Sequence, residues 1–159
     1  MPLAHDPILE TRRLHWAEEA DGAAWAARLA GSPALRDAFI ELHGPLGAGK
    51  TTFVRHLLRA LGVTGRIKSP TYAVLEPYSL PGLEVSHFDF YRLEDPREWA
   101  DAGFRDLFAA PGLKLAEWPE RAAGVLPRAD LRVTIEPGAD DHRDVTVDAL
   151  TPLGVELLR

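Results

Sequence analysis

With 159 residues and a formal net charge of −6, the chain is long enough for one domain with a hydrophobic core and lacks the basic surplus needed to grip nucleic acid unaided. The absence of cysteine excludes disulfides, thiolate zinc sites and a cysteine nucleophile. No apolar run is long enough to span a membrane, and an N-terminus carrying Asp6 and Glu10 without a basic lead is no signal peptide, so a cytoplasmic protein is expected.

Residues 16–30 are rich in alanine, carry apolar residues at helical spacing and predict a helix, broken by Gly31, Ser32 and Pro33. Residues 38–42 form a short apolar run leading to Gly44 and Pro45, read as a buried strand that ends in a loop. From Lys50 the pattern turns helical: Phe53, Val54, Leu57, Leu58 and Leu61 share one face, and Gly62 is a natural stop. Lys68 to Thr71 is a polar loop in which Pro70 pushes Ser69 toward extended geometry. Residues 72–78 and 83–90 read as strands joined at 79–82 like a hairpin. Residues 95–108 read as a helix opened by Asp95 and Pro96. Another strand covers 112–117, and 131–136 pairs with 144–149 around the acidic turn 138–142. The expected fold is a single α/β domain over 1–159 with a mixed sheet flanked by helices.

Gly44-Pro45-Leu46-Gly47-Ala48-Gly49-Lys50-Thr51 matches the phosphate-loop pattern G-x-x-x-x-G-K-[ST] in full, with a strand before it and a helix after. Glycines let backbone N–H groups converge on an anion, and the positive end of the helix faces the phosphates. Lys50 is expected to reach the β- and γ-phosphates and the Thr51 hydroxyl to ligate Mg²⁺, with Gly44, Leu46, Gly47, Ala48, Gly49 and Thr52 completing the nucleotide cradle. Pro45 stiffens the loop entry and lacks an N–H donor.

Phosphoryl transfer also needs an acid to hold Mg²⁺ or its water, and a group to orient the attacking water. Asp89 and Glu117 each end a predicted strand, where ligands bind in open α/β sheets. If those strands lie beside the one that feeds the loop, both acids converge on Thr51. Strand alternation places His87 on the face of Asp89, either directed into the site or hydrogen-bonded in the sheet. Trp118 either covers the site or fills the core. Arg92 and Lys68 are candidate charge stabilisers.

Several segments in order resemble one family: the loop with Thr52-Phe53, Lys68-Ser69-Pro70-Thr71-Tyr72, Glu76-Pro77-Tyr78, His87-Phe88-Asp89-Phe90-Tyr91-Arg92-Leu93 and Glu117-Trp118-Pro119-Glu120-Arg121. Together they are similar to the bacterial TsaE (YjeE) family, ATPases of tRNA threonylcarbamoyladenosine biosynthesis. The resemblance implies a compact P-loop NTPase with a mixed, mainly parallel sheet, binding ATP and Mg²⁺. Lys50 would hold phosphates, Thr51 and Glu117 would hold Mg²⁺, and Asp89 would occupy the Walker-B-like position and help hydrolysis. Lys68 to Thr71 would form a switch-like loop. The resemblance also implies docking on the TsaB–TsaD pair, where TsaD modifies adenosine 37 of tRNA, so that tRNA is met indirectly and the ATPase is weak alone. Pro45 stands where an acidic residue is common in the family, and Phe90 where leucine is usual. No counterpart of the family's N-terminal threonine near the nucleotide is evident, and no adenine-contacting residue is carried over.

Two other readings share the loop. A P-loop small-molecule kinase would need an Arg-rich lid, for which Arg121 and Arg128 are sparse and flanked by proline. A GTP-dependent switch would need an Asn-Lys-x-Asp reader and a water-orienting glutamine, and the chain contains neither Asn nor Gln. That amide depletion, with only three lysines among 18 basic residues, fits heat tolerance and GC-rich codon usage alike.

Overall fold

The run Phe39-Ile40-Glu41-Leu42-His43 forms β2 (Phe39–His43), the central strand of a seven-stranded sheet. The computed structural model describes residues 7–68, 70, 74–95, 97–101 and 103–159. The remaining strands are β1 (Glu10–Trp16), β3 (Leu75–Leu80), β4 (Leu83–Asp89), β5 (Leu113–Glu117), β6 (Leu131–Pro137) and β7 (Arg143–Ala149). The sheet runs in the order β1-β7-β6-β2-β5-β4-β3. The inner pairings β6–β2, β2–β5 and β5–β4 are parallel, and the outer ones β1–β7, β7–β6 and β4–β3 are antiparallel. Parallel neighbours cannot be joined by a tight turn, so the chain between β2, β4, β5 and β6 runs in longer crossovers.

The helices are α1 (Glu19–Ala30), α2 (Lys50–Leu61), α3 (Arg97–Asp101), α4 (Phe104–Ala109) and α5 (Pro152–Leu157). Of the predicted α2 stripe, Phe53, Val54, Leu57 and Leu58 are buried and Leu61 packs at its margin. The helix ends in a Schellman turn: Gly62 takes a left-handed φ of 109°, and the N–H of Val63 donates to the carbonyl of Leu58 (3.0 Å). One core lies between the sheet and α1–α2 and takes Ile40, Leu42, Val85, Leu113 and Leu115. A second, aromatic core on the opposite face takes Phe39, Phe88, Phe90, Trp99 and Phe104. The alternation of strand side chains therefore puts Val85, His87 and Asp89, like Leu113, Leu115 and Glu117, on the face that carries α2.

Several elements differ from the sequence reading. Trp16 is not helical but ends β1, and α1 starts at Glu19, where the Asp21 carboxylate accepts the N–H of Glu18 (3.1 Å). The strand β1 escapes a periodicity reading because it is a charged, half-exposed edge strand without clean alternation. The predicted helix over 95–108 is two short helices, parted at Gly103, whose φ is 75°. The short helix α5 carries only a weak apolar pattern and is started by Thr151, whose hydroxyl accepts the N–H of Gly154 (3.1 Å). Residues 72 and 73 of the predicted strand over 72–78, together with Ser69 and Thr71 of the predicted loop, lie outside the described residues. Among the described residues no helix is long and apolar enough to cross a membrane.

Candidate functional site

The segment Gly44 to Gly49 turns the chain from β2 into α2 at the carboxyl end of the parallel strands. Gly44 has a φ of 143°, and a Cβ there would stand 2.4 Å from the carbonyl oxygen of Ile135, so only glycine lets the loop pass β6 this closely. Gly49, with a φ of 106°, is the residue preceding the first turn of α2. The N–H of Ala48 is turned inward to the Pro45 carbonyl (3.1 Å), and that of Phe53 is the first to bond along the helix, to Gly49 (3.0 Å). The N–H groups of Lys50, Thr51 and Thr52 thus open the helix without intrahelical partners, a set of donors suited to an anion.

Lys50 is 4% exposed. Its ammonium donates to the Gly44 carbonyl (2.5 Å) and lies over the indole of Trp118, 3.6 Å from the ring centroid. Burial lowers the Lys50 pKa, and the negative charges of Glu117, Glu120 and Asp89 oppose that shift. Trp118 packs on the aromatic core as well as covering Lys50, so both sequence readings of this residue hold. It adopts a left-handed backbone (φ 55°), uncommon for a bulky residue, between β5 and the turn Pro119–Ala122.

Glu117 ends β5, the strand next to β2, on the α2 face. The hydroxyl of Thr51 donates to its Oε1 (2.8 Å), and Nε2 of His87 lies 2.6 Å from its Oε2. Asp89 ends β4, one strand further out, in register with Glu117. Its Oδ1 accepts the N–H of Tyr91 (3.0 Å). Burial pushes the Asp89 carboxyl above its ordinary value; the Tyr91 hydrogen bond opposes this and the charge of Glu117 adds to it.

A cavity of about 290 Å³ is lined by Leu46 to Thr52 together with Asp89, Tyr91, Glu117, Trp118 and Arg143. It gathers the expected loop residues Leu46 to Thr52 with Asp89 and Glu117, while Gly44 lies behind the loop against Ile135. An adjoining cavity of about 390 Å³, enclosed by Trp16, Gly22, Phe53, His56, Asp141 and neighbours, shares Ala48, Gly49, Thr52 and Arg143 with the first. Arg143 therefore sits at the junction. Its Nε donates to the carbonyl of Ala48 (2.8 Å) and its Nη1 to those of Asp141 (3.0 Å) and His142 (3.1 Å).

The sequence reading missed Arg143 and Trp16. An arginine opening an exposed-looking strand carries no motif, and Trp16 fell inside a predicted helix. The other candidates lie elsewhere. Lys68 is exposed, its carbonyl accepting the hydroxyl of Tyr78 (3.0 Å), and neither Lys68 nor Arg92 lines the loop cavity. Of the switch-like segment, Ser69 and Thr71 lie outside the described residues. Among the described residues there is no cluster of three or more His, Asp or Glu able to hold a metal. The donor set at the loop is instead one hydroxyl and one carboxylate, both hard oxygen donors. That pair suits Mg²⁺, which keeps waters and takes substrate phosphates as further ligands.

Comparison with known proteins agrees with this geometry. The family described as "Threonylcarbamoyl adenosine biosynthesis protein TsaE" matches residues 16–145. The chain is 44% identical over 119 residues to the tRNA threonylcarbamoyladenosine biosynthesis protein TsaE of Haemophilus influenzae, covering 75% of each chain. To the protein of the same name from Bacillus subtilis it is 37% identical over 111 residues, covering 70% of this chain and 69% of the relative. A crystal structure of YdiB from Bacillus subtilis superposes with a TM-score of 0.77 at 27% identity, over 94% of this chain and 92% of that one. The architecture is that of a single-domain P-loop NTPase, and the family match spans the phosphate loop, the strand ends at Asp89 and Glu117, and Arg143. The chain belongs to the TsaE family of threonylcarbamoyl adenosine biosynthesis proteins.

Proposed function

We propose that the chain binds ATP with Mg²⁺ and hydrolyses it as the nucleotide-driven component of tRNA threonylcarbamoyladenosine formation, acting with TsaD and TsaB and meeting tRNA through them. The observation that carries the nucleotide reading is the 2.8 Å hydrogen bond from Thr51 to Glu117 at the first turn of α2, beside the buried ammonium of Lys50. Membership of the TsaE family supports the pathway.

In this reading the N–H groups of Lys50, Thr51 and Thr52 receive phosphate oxygens, and the Lys50 ammonium exchanges the Gly44 carbonyl and the Trp118 ring for the β- and γ-phosphates. Thr51 and Glu117 would hold Mg²⁺, which would supply positive charge to offset that of the phosphates. Asp89, one strand away and less acidic than an ordinary aspartate, orients the attacking water and accepts its hydrogen bond as the bond to the leaving oxygen of ADP breaks. The larger adjoining cavity, walled by Trp16 and Phe53, takes the base. Hydrolysis by the protein alone is slow, because the phosphate loop supplies binding and charge stabilisation and full positioning of the water held by Asp89 depends on the partners.

Phosphate release from ATP, measured with and without Mg²⁺, tests the ATPase; loss of that release in Lys50→Ala is the expected control. Purified TsaB–TsaD with tRNA, ATP and threonylcarbamoyl-AMP then tests the role: multiple-turnover modification should depend on this protein. Modification that proceeds equally without it would refute the pathway assignment and leave the ATPase intact.

A further inference from the structure

His87 stands on β4, one strand in from the β3 edge, in register with Leu115 of β5, with 1% of its side chain exposed. Its ring reaches diagonally past Leu115 to Glu117, where Nε2 lies 2.6 Å from Oε2. Its other nitrogen, Nδ1, has no hydrogen-bond partner among the described residues. Burying a ring with one unpartnered nitrogen is unfavourable, and an apolar side chain between Val85 and the α2 core would avoid that cost. The contact with Glu117 is thus the polar engagement the histidine has in return.

Glu117 is as buried as its partner, with 3% of its side chain exposed, and both carboxylate oxygens are occupied: Oε1 by the Thr51 hydroxyl and Oε2 by His87. A carboxylate oxygen accepts hydrogen bonds, so this pairing calls for the His87 tautomer with its proton on Nε2. Without that donor, Oε2 would be a buried oxygen with nothing to bind, and the carboxylate would rotate to share Thr51 or draw in water. With it, the rotamer is fixed and Oε1 alone faces the phosphate loop.

We propose that His87 is a positioning residue that locks Glu117 with one oxygen turned to Thr51, so that the metal-holding pair is assembled before nucleotide arrives. This rests on the reading of Thr51 and Glu117 as the Mg²⁺ arm. His87 touches neither nucleotide nor metal; it acts through Glu117, as outer-shell partners of ligating groups do.

The test uses the full chain and calorimetric titration of ADP at a series of Mg²⁺ concentrations and in EDTA, for wild type, His87→Gln, His87→Leu and Glu117→Ala. His87→Gln retains an N–H donor at a similar reach and is expected to keep the Mg²⁺ midpoint near wild type. His87→Leu is expected to bind ADP in EDTA as wild type does, with its Mg²⁺ midpoint raised about 10- to 100-fold. A folded His87→Leu protein with the wild-type midpoint, or His87→Gln impaired as much as His87→Leu, overturns the proposal while leaving the metal arm standing. A wild type whose ADP affinity ignores Mg²⁺ and matches Glu117→Ala overturns the metal arm itself, and the role of His87 with it. Should His87→Leu fail to fold, ¹⁵N-detected NMR of the wild-type imidazole decides: an Nε2–H tautomer is expected, and an Nδ1–H tautomer overturns the assignment.

Discussion

The ammonium of Lys50 lies 3.6 Å from the centroid of the Trp118 indole while donating to the carbonyl of Gly44. The loop cation is thus engaged by the protein's own groups, a backbone carbonyl and an aromatic face. It is also desolvated, which lowers its pKa and makes it a destabilising element of the free protein. Lys50→Met should therefore raise the thermal midpoint of the free protein. The same change should weaken ATP binding by about 2–5 kcal/mol, roughly 30- to 5,000-fold in Kd. Thermal melts without ligand and calorimetric ATP titrations measure the two effects. A lower midpoint would show that the ammonium's contacts with Gly44 and Trp118 outweigh its desolvation.

Asp89 gives a pH signature of known sign. Burial raises its folded-state pKa above the ordinary value of 3.8, so its ionisation opposes folding at neutral pH. The folded chain then binds more protons than the unfolded chain between 3.8 and the raised value. The penalty is full above that raised value, shrinks as pH falls from it toward 3.8 and is gone below 3.8. Asp89→Asn should accordingly be more stable than wild type at pH 7, and the difference should shrink toward pH 4. The same variant should bind ATP like wild type and hydrolyse it far more slowly, since the amide is a poor acceptor for a proton from water. Paired melts at the two pH values and a phosphate-release assay check both halves; equal stabilities at pH 7 would contradict the buried-carboxylate account.

The phosphate loop was legible in the sequence because its chemistry is local: glycines at fixed spacing, then lysine and threonine, between a strand and a helix. Asp89 and Glu117 were legible as strand-end acids, and parallel pairing of β4, β5 and β2 is what brings them to one cavity. The hydrogen bond between His87 and Glu117 was not legible, because it crosses two strands whose adjacency no local pattern states. Arg143 was invisible for the same reason. It reaches the loop only because β7, the antiparallel partner of β6, begins beside it. The edge strand β1 was missed because its charged residues satisfy an exposed edge instead of alternating cleanly.

Gly44 tests whether the loop's shape is set by packing as well as by ligand. A methyl group there would stand 2.4 Å from the Ile135 carbonyl oxygen, a backbone atom that cannot swing aside, and the φ of 143° is unfavourable for any side chain. Strain and overpacking together predict a loss of about 2–4 kcal/mol for Gly44→Ala. In a domain of this size that corresponds to a fall of roughly 5–15 °C in thermal midpoint. Gly47, whose added Cβ would meet nothing within 4 Å, is the internal control. With a φ of 79° it keeps the backbone penalty without the clash, so Gly47→Ala should cost less. Equal losses at the two positions would show that backbone strain alone is responsible.

Arg143 binds the two cavities into one site. Its guanidinium donates to three carbonyls, one in the phosphate loop at Ala48 and two in the acidic turn at Asp141 and His142. Hydrogen bonds from a charged donor are individually substantial, about 1.5–3 kcal/mol each before solvent exposure reduces them, and here they tie the loop to a surface turn. Arg143→Ala should free the turn and leave the Ala48 carbonyl without this donor. Nucleotide affinity should then fall about 10-fold or more, with faster amide exchange in both the loop and the turn. Arg143→Lys should not rescue it, because a single ammonium lacks the planar fork that reaches both segments at once. Hydrogen-exchange profiles of the two variants, read beside their ATP affinities, decide the matter. Protection lost in the turn alone, with affinity unchanged, would make Arg143 a support of the surface and not of the nucleotide site.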